Sequence, residues 1–325
     1  MIKPETEMII IRHKILNNVK SRCLIRCLTR RFTRFVAALC VASLFVGLIP
    51  SAALAAIPKT EARKTDITVH KNDKVSVDAS NLAEGYVIIK YFGGKDVKIK
   101  AQVAKKDGSS YMYDISNKGS IEVIPVTEGD GKYTISVFEN IGGTKYAQAF
   151  SVSVDVKLRD QLLPFLYSNQ YVNFTDKGNV ASKATELSKD VKEQLKILEN
   201  IYFYVVKNME YDTVLAKTVQ PGYLPNVEKV LEIKKGICFD YASLMSSMLR
   251  LQGIPSKLVI GYAGTVYHAW INVFIEEVGW IDKAIYFDGK QWSLMDPTFV
   301  STSKSANAVK QFIGEGNNYS QKFMY

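Results

Sequence analysis

Four cysteines occur in the chain, Cys23, Cys27, Cys40 and Cys238, and the first three fall within an N-terminal segment that reads as an export leader. An exported chain with one remaining cysteine has no internal disulfide to form, and its thiol is a liability in an oxidising compartment. The surroundings of Cys238 give that thiol a use. Lys234-Lys235-Gly236-Ile237-Cys238-Phe239-Asp240-Tyr241 reads as a loop that becomes a helix at the cysteine. Unsatisfied backbone N–H groups and the helix dipole stabilise a thiolate at that end. The same N–H groups can hold an oxyanion during acyl transfer. Gly236 permits a close backbone approach beside the thiol. Lys234 and Lys235 read as solvated charges, and Asp240 as a first-turn acid complementing the dipole.

A thiolate nucleophile needs a base that later returns the proton to the leaving group. Histidine suits this role because its unperturbed pKa lies near 6.5. His268 opens an apolar run, His268-Ala269-Trp270-Ile271-Asn272-Val273, whose rigidity as a strand would keep the imidazole aimed. Asp296 ends the next strand-like run, Trp292-Ser293-Leu294-Met295-Asp296, just before Pro297-Thr298. Two neighbouring antiparallel strands would set Asp296 beside the imidazole to fix its tautomer. Asn272 is the other acceptor to test. Each element alone has a plainer reading: a packed histidine, or an Asp-Pro turn start. Trp270 either shields the site or only packs. No CxxC or HxxxH spacing exists, so no metal site and no cofactor are expected.

The elements that must position these residues follow from periodicity. Between residues 66 and 158, strand-like runs recur: Ile67–His70, Lys74–Asp78, Tyr86–Phe92, Val97–Ala104, Tyr111–Asp114, Ser120–Pro125, Lys132–Glu139 and Tyr146–Lys157. Glycine-rich turns separate them, which predicts an all-β sandwich of the immunoglobulin-like kind. Tyr133, just after such a turn, is placed to be a corner tyrosine. His70 is solitary and reads as a surface or packing residue.

The pattern changes after Leu158. Leu187, Val191, Leu195, Leu198, Tyr202, Val205 and Met209 share one face of a helix over 183–209, with Ser182 as its N-cap. The helix that begins at Cys238 ends at Gly253-Ile254-Pro255, and strands follow over Lys257–Tyr262, His268–Glu276, Gly279–Ile281 and Gln291–Met295. Helices followed by antiparallel strands predict an α+β domain over 159–325. The segment 158–182 reads as the exposed connection, where proteolysis would cut first.

The formal net charge is +10, but residues 1–34 hold nine Lys/Arg against Glu5 and Glu7. The remainder carries 33 basic and 30 acidic residues, too balanced for a nucleic-acid footprint. The basic stretch to Arg34, the apolar run Phe35–Ile49, Pro50 and Ala53-Leu54-Ala55 form a signal peptide over 1–55, cleaved after Ala55. An uncleaved membrane anchor is the alternative reading. Residues 56–65 are a linker.

Gly236-Ile237-Cys238-Phe239-Asp240-Tyr241-Ala242, His268-Ala269-Trp270 and Trp292-Ser293-Leu294-Met295-Asp296-Pro297-Thr298 together resemble the transglutaminase-like superfamily over roughly residues 183–300. The resemblance implies a papain-like core, with Cys238 as nucleophile, His268 as base and acid, and Asp296 as orienter. It also resembles exported bacterial surface proteins. The expected activity is acyl transfer on protein or peptide amides at the cell surface, hydrolysis ahead of glutamine–lysine cross-linking, by a monomeric secreted chain. The alternative is a non-catalytic surface protein that kept the fold.

Overall fold

Tyr111, Tyr113 and Ile115 are buried while Ser110, Met112 and Asp114 between them are exposed, the alternation of a strand packed on one face. A computed structural model describes residues 62, 64–276, 279–282, 285–287, 292–294 and 319–325. The expected leader and Asp296 lie outside the described residues. All eight strand-like runs of the first segment form strands: β1 Val69–Lys71, β2 Val75–Asp78, β3 Tyr86–Tyr91, β4 Ile99–Lys105, β5 Ser110–Ile115, β6 Ile121–Pro125, β7 Gly131–Gly142 and β8 Lys145–Val156. They make two antiparallel four-stranded sheets, ordered β1-β2-β3-β6 and β5-β4-β7-β8. The Tyr133 hydroxyl donates to the Gly129 carbonyl at 2.7 Å and ties the turn to β7, as its position predicts.

The segment after Leu158 is not an exposed connection. Leu163, Phe165, Leu166, Val172 and Phe174 are buried, and so are Ser168, Asn169 and Gln170. Arg159 Nη2 and the Tyr167 hydroxyl both donate to the Glu84 carboxylate, which fastens this segment to the turn before β3. The described residues fall within one compact unit. Its hydrophobic core runs without interruption from Val75 and Ile89 to Leu244, Ile271 and Tyr325.

The helix expected over 183–209 is two helices, α1 Asn179–Ser188 and α2 Gln194–Asn208. Lys189 leaves helical geometry and Asp190 takes φ +60°, a left-handed conformation that aspartate tolerates. The apolar stripe continues across the break: Leu187, Val191 and Leu195 are half-buried against the core, and Leu198, Tyr202, Val205 and Met209 are buried. Ser182 is not the N-cap. Gly178 holds that place, and the Glu228 carboxylate accepts from the Asn179 and Val180 N–H groups. A Cβ on Gly178 would stand 2.0 Å from Glu228 Oε1, so the glycine makes room for a cap supplied by another helix.

The short strand β9 Glu210–Tyr211 and helices α3 Thr213–Thr218 and α4 Val227–Ile233 follow. Strand β10 Lys235–Gly236 pairs in parallel with β9 and leads directly into α5 Cys238–Leu251. Helix α5 packs against the sheet of β11 Ser256–Ala263 and β12 Val266–Ile275. With β13 Gly279–Ile281 and β16 Tyr319–Met324 that sheet has the order β13-β12-β11-β16. Strands β14 Ile285–Phe287 and β15 Trp292–Leu294 form a separate antiparallel pair. Among the described residues the strand that precedes Asp296 pairs with β14 rather than directly with β12. The partners of β12 are β11 and β13, although β14 also touches it.

Candidate active site

Cys238 is the first residue of α5, as its motif predicts, and its side chain is half-buried. Two backbone bonds fix the approach to it. The Glu210 N–H donates to the Lys234 carbonyl at 2.9 Å, and the Asp212 N–H to the Gly236 carbonyl at 2.9 Å. Ile237 is extended, and its N–H donates to Asp240 Oδ2 at 2.8 Å. This is an acid three residues into the helix reaching back to its cap. A Cβ on Gly236 would lie 2.5 Å from the Asp240 Cβ, so the glycine admits that carboxylate rather than merely freeing space for the thiol. The N-terminal N–H groups of α5 are thereby held in one geometry beside Cys238.

Asp240 is fully buried, and its second oxygen accepts the Tyr223 hydroxyl at 2.6 Å. Burial raises its pKa above the usual carboxylate value, the two hydrogen bonds oppose that rise, and the nearby Asp212 charge adds to it. Its expected role at the dipole holds in part. The carboxylate also straps the loop that carries Tyr223 onto the first turn of α5. Lys235 lies 3.7 Å from Glu210, and Lys234 caps α4 in a left-handed conformation.

His268 is 5% exposed and sits on β12 opposite Gly261 of β11. Strand alternation puts His268, Trp270 and Asn272 on one face of β12, and Tyr267, Ala269 and Ile271 on the other. Trp270 is buried, and its Cη2 would lie 2.8 Å from a Cβ on Gly261. Asn272 Nδ2 donates to Asp282 Oδ1 at 2.9 Å, so Asn272 anchors the region near β13. Helix α5, which begins at Cys238, packs against β12, the strand that carries His268. Asp296 lies outside the described residues.

Aromatic rings gather around the thiol, and sequence reasoning missed them. Tyr171 stacks on Phe239 with ring centroids 5.5 Å apart, and Tyr223 meets the same ring edge-on at 6.4 Å. Tyr171 also packs on Tyr325 at 4.1 Å, and Tyr325 in turn meets Tyr111 and Tyr113 of β5. The signal present in the sequence was Tyr223 within the Pro221-Gly222 loop, with no periodicity to mark it. Among the described residues no cluster of His, Cys, Asp or Glu suits a metal ion, and no helix is long and apolar enough to cross a membrane.

Residues 181–297 match the sequence family described as the transglutaminase-like superfamily. The chain therefore carries a transglutaminase-like domain, of mixed helices and strands. The uncharacterized protein YebA of Bacillus subtilis is 24% identical over 149 residues, covering 39% of this chain and 20% of that protein. UPF0252 protein MJ1282 of Methanocaldococcus jannaschii is 26% identical over 239 residues, covering 67% and 66%. Human kyphoscoliosis peptidase is 26% identical over 152 residues, covering 46% and 22%. The chain thus spans about a fifth of two of these relatives and just under two thirds of the third. Among solved structures, a candidate cysteine protease of Cytophaga hutchinsonii aligns at 13% identity and a TM-score of 0.35, covering 80% of this chain and 81% of that one. Red sea bream transglutaminase aligns at 14% identity and a TM-score of 0.29, covering 67% and 49%.

Proposed function

We propose that the chain is an exported thiol acyl-transfer enzyme acting on amide bonds of proteins or peptides at the cell surface, and that it hydrolyses them. The observation that carries this reading is the place of Cys238, first in a 14-residue helix whose N-terminus is fixed by a buried carboxylate. In this reading the Cys238 thiolate attacks the amide carbonyl carbon, and the α5 N–H groups hold the oxyanion. His268, protonated by the thiol, gives its proton to the departing amine. The thioester is then attacked by water, with His268 as base, which releases a carboxylate and restores the thiol. Asp296 holds the imidazole tautomer, Trp270 packs beside it, and Gly236 gives Asp240 its place. The name of the human relative as a peptidase favours water over an amine as the second nucleophile. The β-rich segment 66–158 is proposed as an immunoglobulin-like domain that supports or presents the catalytic half. The leader 1–55 is proposed as the export signal.

The test is incubation of the chain with a glutamine-containing protein and a labelled primary amine. Release of ammonia, a new carboxylate or a cleaved chain, without label, is expected, and Cys238→Ala should abolish it. Stoichiometric amine incorporation would replace hydrolysis by cross-linking. Product that persists in Cys238→Ala would remove the nucleophile assignment. No reaction, with Cys238 no more reactive than an ordinary thiol, would favour a non-catalytic surface protein.

A further inference from the structure

We propose that Tyr223 is a positioning residue for acyl transfer: through Asp240, its hydroxyl holds the first turn of α5 so that the Cys238 N–H stays aimed at the oxyanion. The proposal rests on the acyl-transfer reading and adds a residue that acts on the same site from a separate loop.

The loop places the hydroxyl. Gln220-Pro221-Gly222-Tyr223 forms a turn closed by the Tyr223 N–H, which donates to the Gln220 carbonyl at 3.2 Å. Proline in its second place and Gly222, at φ +90°, in its third suit a type II turn. Gly222 also comes against β5, where a Cβ on it would stand 3.4 Å from Asp114 Oδ2. The turn delivers Tyr223 half-buried, its ring edge-on to Phe239 at 6.4 Å and its hydroxyl 2.6 Å from Asp240 Oδ1. Burial first, and then the bond to Asp240 and its charge, raise the phenol pKa above the usual tyrosine value. The hydroxyl therefore stays a donor at neutral pH.

Asp240 passes the constraint on. Its Oδ2 accepts from the Ile237 N–H at 2.8 Å, while the Gly236 carbonyl of the same planar peptide unit accepts from the Asp212 N–H at 2.9 Å. That unit is clamped at both ends, which keeps Ile237 extended at φ −96° and ψ 176° and starts the helix at Cys238. The Ile237 carbonyl accepts the first helical bond, from the Tyr241 N–H at 3.1 Å. In a trans peptide the Cys238 N–H then points the other way, out of the helix end. Helix ends otherwise fray. With Oδ1 left unsatisfied, the buried carboxylate would turn and loosen Ile237, and the Cys238 N–H would lose its aim. Such a donor accelerates acyl transfer only when it is already in place as the charge develops.

The experiment compares two reactions of Cys238 in the full chain, with Cys238→Ala supplying the background of each. With iodoacetamide the thiolate attacks a saturated carbon and iodide leaves, so no oxyanion forms. With p-nitrophenyl acetate it attacks a carbonyl carbon and passes through an oxyanion; the acetyl group stays on sulfur and p-nitrophenolate leaves with the bonding pair. Both reactions use the same thiolate, so their ratio at one pH reads the donor geometry apart from folding and thiol activation. Tyr223→Phe keeps the ring on Phe239 and removes only the hydroxyl. It should slow p-nitrophenolate release about tenfold, less than loss of a whole donor, and leave the iodoacetamide rate within about twofold. In an Asp240→Ala background the same change should slow release by less than about twofold, because the carboxylate it acts through is gone. Equal losses in the two reactions, or no loss in either, would overturn the positioning role and leave the acyl-transfer reading standing. A tenfold loss that persists in the Asp240→Ala background would overturn it as well. Wild type that releases no p-nitrophenolate through Cys238 would overturn the acyl-transfer reading, and this inference with it.

Discussion

The Tyr223 hydroxyl and the Ile237 N–H donate to the two oxygens of one buried carboxylate, Asp240, at 2.6 and 2.8 Å. Replacing Asp240 by alanine strands both donors and should cost about 2–3 kcal/mol, read by urea denaturation. Asp240→Asn keeps one acceptor and should cost about half as much. Burial, less the two hydrogen bonds and with Asp212 adding its repulsion, raises the folded pKa of Asp240 above 3.8. The folded state then binds more protons than the unfolded state between 3.8 and that raised value. The advantage of the wild type over Asp240→Asn should be largest at acid pH and shrink as pH rises through the folded pKa. An advantage that grows with pH instead would contradict the balance of desolvation over hydrogen bonding.

A second expectation separates two acceptors for His268. Asn272 is engaged with Asp282 at 2.9 Å and lies four residues along the strand from His268, roughly 13 Å at the usual rise. Asn272→Ala should leave turnover within about threefold of wild type, whereas Asp296→Ala should lower kcat about 10²–10⁴-fold, the range over which a triad acid acts. The measurement is kcat on whichever peptide the chain cleaves. Equal losses in the two variants would withdraw Asp296 as the orienting group.

The sequence showed the two β-sheets almost strand for strand, because apolar residues alternate cleanly in β4 and β5 and glycine turns mark the ends. It showed the start of α5 as well, since the Gly236-Ile237-Cys238 step changes both periodicity and flexibility. It did not show the break between α1 and α2. The stripe through Leu187, Val191 and Leu195 keeps helical spacing across residues that leave the helix, and no proline or glycine flags Asp190. It did not show the cap of α1 either, because Glu228 reaches it from 49 residues away. Asp240 was legible as a helix-terminus acid, but its burial and its Tyr223 partner exist only after folding. The strand β16 was missed because Tyr319–Met324 is short and follows a stretch without periodic signal. Its last ring contacts then decide how Tyr171 is packed.

A third expectation concerns Glu139 of β7. Its side chain is only 5% exposed, yet it accepts from the Tyr91 hydroxyl at 2.8 Å and pairs with Lys95 at 2.6 Å and Lys74 at 3.1 Å. Burial pushes its pKa up, but the hydrogen bonds from Lys95, Tyr91 and Lys74 outweigh that and bring it down to about 2. The same contact, on top of burial, raises the Tyr91 phenol to about 12. The stabilisation from Glu139 should be complete above pH 4.5 and be lost as pH falls from there through about 2. Glu139→Gln should cost about 1–2 kcal/mol at neutral pH, and the gap from wild type should close on acidification through that window. A gap independent of pH would show that the carboxylate charge is not what holds the site.

The last expectation concerns Arg250, fully buried in the final turn of α5. Nη1 donates to the Tyr167 carbonyl at 2.6 Å, and Nη2 to the Ser256 and Tyr325 carbonyls at 2.7 and 2.8 Å. One planar group thus joins the segment after the β-sheets, the start of β11 and the end of β16. Burial lowers its pKa to about 9, which leaves it cationic at neutral pH. A lysine ammonium is a point donor and does not reproduce the guanidinium fork. Arg250→Lys should therefore cost about 3 kcal/mol, close to the loss expected when a buried charge is left without its partners. The loss should be local before it is global. Tyr325 packs on Tyr171, Tyr111 and Tyr113, so loosening its carbonyl should raise amide exchange in residues 319–325 and 167–172 first. Tyr171 also packs on the Phe239 ring beside Cys238, so the loosening should extend to the amides at the start of α5. Stability within about 0.5 kcal/mol of wild type, the range of an ordinary surface substitution, would show that these carbonyls are satisfied without the guanidinium.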